Sequence, residues 1–335
     1  MLRRRTPLAA AGIVAACLLL AGCGSRQSTL DGQGGPERAI SHLFWVLLAG
    51  CTVGFAVVVF LLYLGWLRRK RTELPFGGGD TVGTSLVVGL GVVLPLILLP
   101  AAFAYSNFFV LPKTEAPAPS STRLTVEVTG HQWFWTVRYP GTRAVTANEI
   151  HIPTRTRVDV VVHTGDVIHS FWVPQLNRKI DTIPGRSNRV LLIADRPGRY
   201  RGSCTEYCGL QHAHMSLYVI AQPQKQFRAW LANMAKPAAA PQTAQARRGE
   251  RVFLEHACAG CHQIRGTAAR GTIGPDLTHL ATRQTLAALT IPNRPGYLAG
   301  WIADPQHVKP GNKMPALSLR GPDLRDLLAY LDGLR

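Results

Sequence analysis

A chain of 335 residues, 47% of them apolar, is long enough for two or three domains with cores of their own. The formal net charge of +18 is spread along it: residues 114–222 carry 12 basic and 8 acidic side chains, and residues 223–335 carry 15 and 7. With no dense basic cluster and no recognition module, nucleic-acid binding is not expected, and the charge reads as a solvated surface or one facing anionic lipid.

The chain opens on "MLRRRTPLAAAGIVAACLLLAGCGS", a basic start, a short apolar core and small residues before Cys23. Leu20-Ala21-Gly22-Cys23 resembles a bacterial lipobox, so residues 1–22 are expected to be a lipoprotein-type signal peptide and Cys23 to carry the lipid. The competing reading is an uncleaved further transmembrane helix, for which this apolar core is short. Residues 43–67 contain no charge and exceed the ~20 residues that a bilayer span needs. The basic run "RRKR" (68–71) follows at once, which places that loop in the cytoplasm. A second apolar run over 82–105 returns the chain to the outside, with kinks expected at Pro95 and Pro100. The predicted topology is therefore multi-pass in a bacterial cytoplasmic membrane, with Cys23 and everything after the second span on the external, periplasmic side.

"PKTEAPAPS" (112–120) is a Pro-rich connector. Residues 122–222 then hold short β-type segments, "RLTVEVTG", "NEIHIP", "RVDVVVHT", "SNRVLLIA" and "MSLYVIA", which predict an all-β sandwich or barrel. Residues 223–246 read as a short helix followed by the linker "KPAAAPQTAQA". Residues 247–335 read as helical, closing on "PDLRDLLAYLDGLR" with apolar residues at helical spacing.

Seven cysteines lie at 17, 23, 51, 204, 208, 258 and 261. Cys17 and Cys51 sit inside apolar runs and the other five fall into short motifs, so this is no disulfide framework. "CTEYCGLQHAHM" (204–215) gathers Cys204, Cys208, His212, His214 and Met215. The C-x-x-x-C spacing is one residue longer than a zinc knuckle, and thioether is no structural zinc ligand. Thiolate, imidazole and thioether together are the donors of a copper electron-transfer site. A further histidine is needed, and "DVIHSFWVPQL" (166–176) supplies His169 at the end of a β-run. His214, His131, His151 and His163 read as ordinary surface or core histidines. "CAGCH" (258–262) is the c-type haem attachment signature: Cys258 and Cys261 form thioethers and His262 becomes the proximal iron ligand. The sixth ligand is expected from Met314 in "PGNKMPAL" (310–317), whereas Met234 reads as packing.

The blocks "GHQWFWTVRYP" (130–140), "DVIHSFWVP", "KIDTIPGR" (179–186) and "GSCTEYCGLQHAHM" resemble the signatures of cytochrome c oxidase subunit II. The resemblance covers residues 40–222 and includes the two-helix hairpin. It implies a multidomain membrane protein: a transmembrane hairpin, an all-β cupredoxin-like domain with the binuclear copper centre CuA, and here an all-α class I cytochrome c domain. By that resemblance Cys204 and Cys208 bridge the two coppers, His169 and His212 bind one each, and Met215 and the carbonyl of Glu206 are weak axial ligands. It also implies that Trp133 passes electrons to CuA, and that Asp181 and the Glu206 carboxylate face subunit I, where Glu206 helps to bind Mg²⁺. One departure stands out: where many members carry a Glu at the start of the second helix, residues 81–103 hold no carboxylate. That removes the residue on which proton uptake through this subunit would rest.

"RRGERVFLEHACAGCHQIRG" and "IGPDLTHLA" (273–281) resemble a small cytochrome c, and the fusion resembles subunit II of caa-type oxidases. The implied function is transfer of electrons from covalent haem c to CuA and on to the O₂-reducing site of subunit I. Implied partners are subunits I and III, with a cytochrome bc-type complex or soluble cytochrome c as donor. Two rival readings are the electron-input subunit of a CuA-containing nitric oxide reductase and a membrane-anchored copper-delivery protein.

Overall fold

The computed structural model describes residues 27–68, 80–118, 121–317, 319 and 321–335. The expected signal peptide (1–22), the expected lipid site Cys23 and most of the basic run 68–71 lie outside these residues. Two helices, α1 (Gly35–Leu67) and α2 (Thr81–Thr114), are long and apolar enough to cross a membrane. Both run past the uncharged stretches read from the sequence, toward the folded domains. Their apolar side chains face outward, the pattern expected where lipid or partner helices cover them. α2 stays helical through its prolines. Wider π-type turns at Gly89–Val93 and Ser106–Val110 come directly ahead of Pro95 and Pro112, where a missing N–H and a ring clash would otherwise break the ladder. Pro100 lies within regular α-helix.

A strap before α1 ties the hairpin to the β domain. Gln33 N–H donates to Gln175 O, Asp195 N–H donates to Gln33 O, each at 2.9 Å, and Arg38 pairs with Asp195. Asn177 Nδ2 reaches Thr114 O at the end of α2.

Ten strands follow: β1 (Leu124–His131), β2 (Phe134–Arg138), β3 (Val145–Ala147), β4 (Glu149–Pro153), β5 (Val158–Thr164), β6 (His169–Trp172), β7 (Ile180–Thr182), β8 (Asn188–Leu192), β9 (Gly198–Cys204) and β10 (Ser216–Gln222). They form two five-stranded sheets, in the orders β3-β2-β1-β5-β8 and β4-β10-β9-β6-β7. β1 runs parallel to β5 and β4 parallel to β10, while the other neighbours are antiparallel. The alternation in β1 and β5 sends Val126, Val128, Val158, Val160 and Val162 into a shared core with Ile150, Ile152, Leu217 and Val219 of the facing sheet. Each such side chain removed from water contributes about 1.5–3 kcal/mol. This is the all-β domain predicted, with one correction: His169 opens β6 instead of closing a strand. Asp166 and the turn before it hold the chain off the sheet until His169.

α3 (Gln224–Met234) packs Phe227 and the buried Met234 onto that core. The last domain is built on α4 (Ala244–Glu255), α5 (Cys258–Cys261), α6 (Pro295–Ala303), α7 (Pro305–Val308) and α8 (Gly321–Asp332). Thr243 caps α4 by accepting from Ala246 N–H. α4 and α8 cross where Gly249 meets the backbone of Asp326; a Cβ there would lie 1.9 Å from Asp326 O. Beside the crossing, Phe253 and Tyr330 are in ring contact and Arg248 pairs with Asp326. Between α5 and α6 the chain is largely irregular, holding a 3₁₀ turn at Leu280–Thr282, a bridge between Gln263 and Arg270, and a two-residue pairing of β11 (Thr285–Leu286) with β12 (Ile291–Pro292).

Candidate metal and haem sites

Three segments converge at one edge of the β domain: the start of β6, the loop after β9, and the 3₁₀ turn His212–His214 before β10. Antiparallel pairing of Phe171 with Cys204 sets the first two side by side. His169 Nδ1 lies 3.9 Å from Cys204 Sγ, and Cys204 Sγ lies 3.8 Å from Cys208 Sγ. Cys208 Sγ lies 3.6 Å from His212 Nδ1 and 3.8 Å from Met215 Sδ. The carbonyl of Glu206 stands 3.2 Å from Cys204 Sγ. All six ligands read from the sequence are thus brought together. His214 is not among them; it is exposed and pairs with Gln211.

The donors suit a soft, twofold site. His169, Cys204, Cys208 and Met215 are buried, and the sulfurs lie between the two imidazoles. Contact with Cys208 lowers the Cys204 thiol, with His169 helping, while the same contact drives Cys208 upward. A metal held here would take both sulfurs as thiolates. Burial disfavours charge on His169, but contact with Cys204 and with Asp166 outweighs it and raises its pKa.

Of the residues that support these donors, Asp166 and Gln132 escaped the sequence reading, while Trp133 did not. His169 Nε2–H donates to Asp166 Oδ1 at 2.8 Å, which leaves Nδ1 free for a metal. Asp166 also accepts from the backbone of Gln132 and Val167. Gln132 Nε2 and Trp133 Nε1 both donate to Cys208 O, at 2.8 and 2.9 Å. Asp166 had a local signal, a carboxylate three residues ahead of a candidate ligand histidine. Gln132 had none. Trp133 is buried beside the cysteine loop. The Glu206 carboxylate lies on an exposed residue, and Asp181 pairs with Ser170 across β6–β7.

In the last domain Cys258, Cys261, His262 and Met314 all line one cavity of about 430 Å³, within the range of cofactor pockets. His262 Nδ1–H donates to Pro275 O at 2.8 Å, so its Nε2 is the free ligand atom. Burial lowers the His262 pKa and keeps the ring neutral, as coordination requires. Gly274 allows that placement, since a Cβ there would sit 2.5 Å from His262 Cε1. Arg283 and Thr285 also line the cavity, and Arg283 Nε and Thr285 Oγ1 have no partner. A group with an apolar face and an anionic edge would satisfy both. The residues fit a haem.

Residues 141–222 match the family described as cytochrome c oxidase subunit II, periplasmic domain, and residues 246–335 match cytochrome c. Cytochrome c oxidase subunit 2 of Alkalihalophilus pseudofirmus is 32% identical over 95% of this chain and 94% of its own length. The chain belongs to the cytochrome c oxidase subunit 2 family. The Bacillus subtilis member is 28% identical over 95% of both chains. Among solved structures, the periplasmic domain of subunit II of cytochrome oxidase from Bradyrhizobium japonicum matches 34% of this chain and 94% of its own, at 32% identity and a TM-score of 0.33. Membership in this oxidase family implies CuA copper for the β domain, haem c for the last domain, and association with other oxidase subunits. With two apolar helices, it makes the chain a membrane-anchored component of an oxidoreductase complex with an external domain.

Proposed function

We propose that this chain is the electron-input subunit of a respiratory cytochrome c oxidase, spanning the bacterial cytoplasmic membrane twice with both redox domains on the periplasmic side. The observation that carries the reading is the joint presence of the six-donor sulfur–imidazole cluster and the CxxCH cavity, with Trp133 against both. When bound, a haem and copper would supply one-electron redox chemistry, for a complex whose O₂-reducing site lies on subunit I.

The protein's own part is to hold, orient and insulate. Cys204, Cys208, His169, His212, Met215 and the carbonyl of Glu206 would hold the copper, the sulfurs and imidazoles suiting both its oxidation states. Asp166 fixes the His169 ring, and the two donors on Cys208 O fix the cysteine loop, so the shell need not move when charge changes. Cys258, Cys261, His262 and Met314 would hold the haem, and His with Met as its ligands would raise its potential, as a donor to an oxidase needs. Trp133, one face on the haem cavity and its N–H on the copper loop, is the group through which the two sites communicate. The Glu206 carboxylate, exposed beside the copper loop, would help to hold Mg²⁺ against subunit I. Subunit III completes the complex, and a cytochrome bc-type complex or soluble cytochrome c supplies electrons.

The test is O₂ uptake by the purified complex, with NO offered separately. Uptake of O₂ that is abolished by Cys204→Ser, with haem c retained, is the expected result. Reduction of NO without O₂ uptake would assign the chain to a nitric oxide reductase, and one labile copper with no turnover would assign it to copper delivery.

A further inference from the structure

The two redox domains are joined by more than a linker, and the join is centred on one buried lysine. Lys309 caps the end of α7, in the loop that leads to Met314, and is 3% exposed. Its Nζ donates to Trp133 O at 2.8 Å, to His214 O at 2.9 Å and to Ala287 O at 3.4 Å. The first two carbonyls belong to the copper domain and the third to the haem domain. Three acceptors match the three protons of an ammonium, yet none is a carboxylate. Burial pushes the group down to about 7. A buried charge held only by neutral dipoles is costly, so packing alone does not explain a lysine there.

The contacts around it follow the same seam. Gln211 Nε2 donates to Pro310 O at 2.5 Å, and Gly311 packs so closely on Leu210 that a Cβ would meet its side chain at 2.8 Å. On the far side of Lys309, Gln284 N–H donates to Glu149 Oε1 at 2.7 Å. The haem cavity itself is lined from the copper domain by Gln132, Trp133 and Phe134. Lys309 therefore grips the backbone of Trp133, the residue that lines the cavity and whose indole N–H donates to Cys208 O.

We propose that Lys309 is the pin of an intramolecular docking surface, seating the haem domain on the copper domain so that Trp133 forms one wall of the haem cavity. Lys309 is a positioning residue: it touches neither metal nor haem ligands and acts through Trp133 and His214. One consequence is that this face is closed to a soluble donor, which must approach another face of the haem domain. The seating itself is a property of the protein chain; its bearing on electron transfer rests on the function proposed above.

The experiment uses the complex with both centres loaded. In the unmodified protein, acylation by an amine-reactive ester followed by mass spectrometry should label Lys309 at least about tenfold more slowly than the exposed Lys225. Equal labelling overturns the proposal. Lys309→Met should raise amide hydrogen exchange in residues 130–135 and 284–289 by about 10- to 100-fold, the loss expected for a charge-assisted hydrogen bond. In the same variant, haem-to-copper transfer after rapid haem reduction should slow at least about tenfold, with the copper resonance and haem spectrum unchanged. Unaltered exchange and transfer with both spectra intact would refute the role. Should the variant lose its haem or copper signal, the labelling of the unmodified protein decides. Absence of copper or haem from the unmodified complex would defeat the proposed function, while the labelling result would still judge the dock.

Discussion

Replacing Asp166 with Asn keeps the shape of the group behind His169 and removes its charge. Asp166 Oδ1 accepts from His169 Nε2–H and from Val167 N–H, both at 2.8 Å, while Oδ2 accepts from Gln132 N–H at 2.7 Å. An amide has one oxygen. Whichever way it turns, its NH₂ must face a donor on the other side, so at least one of these bonds becomes a donor–donor contact. A carboxylate–histidine bond behind a metal ligand is worth about 10- to 100-fold in metal affinity, or about 1.4–2.7 kcal/mol. That range agrees with the ~1.5–3 kcal/mol of a hydrogen bond to a charged group. The assay is copper retention by the purified complex against a graded chelator at fixed pH, with the haem spectrum as internal control. Asp166→Asn should release copper at a tenfold lower chelator strength or less, with the haem unaffected. Retention within twofold of the unmodified protein would refute the argument that Asp166 holds the His169 ring for copper.

Other outcomes follow from close contacts and charge. Gly249→Ala places a Cβ 1.9 Å from Asp326 O, so α4 and α8 must move apart; the haem domain should lose about 1–3 kcal/mol, read as a lower midpoint in thermal loss of the haem signal. Gly274→Ala would press on the His262 ring at 2.5 Å, and the spectrum of the attached haem should show weakened axial ligation while copper content is unchanged. The Arg248 partner lowers the Asp326 carboxyl below its ordinary 3.8. A depressed acid contributes stability fully above the unfolded value and loses it as pH falls through the folded one. Asp326→Asn should therefore lower the haem domain's melting temperature above pH 4, with the difference shrinking as the solution is acidified.

The candidate ligands stood out in the sequence because their chemistry is unusual and their spacing short. Two cysteines, a histidine and a methionine in twelve residues, or a CxxCH, leave few readings. Strands β1, β5, β8 and β10 were legible for a different reason: β-branched residues mark their buried positions. β9 was not, because its inward positions are Tyr200, Gly202 and Cys204 between arginines, a pattern with little apolar contrast. β6 was missed because Asp166 and the turn around it delay the strand until His169 itself. Lys309 had no signature at all. Its partners are backbone carbonyls from loops some 20 to 180 positions away, and a carbonyl is the same whichever side chain accompanies it. Residues recognised by their own chemistry can be read from sequence, whereas residues that serve by where the fold puts them cannot.

The central claim is that Cys204 and Cys208 hold two coppers sharing one electron. Electron paramagnetic resonance of the purified, oxidised complex tests it most directly, since hyperfine structure counts the nuclei that an unpaired electron visits. The account predicts one signal coupled equally to two copper nuclei, abolished by Cys208→Ser while the haem c spectrum persists. A signal coupled to a single copper nucleus, or one that survives that substitution, would contradict it.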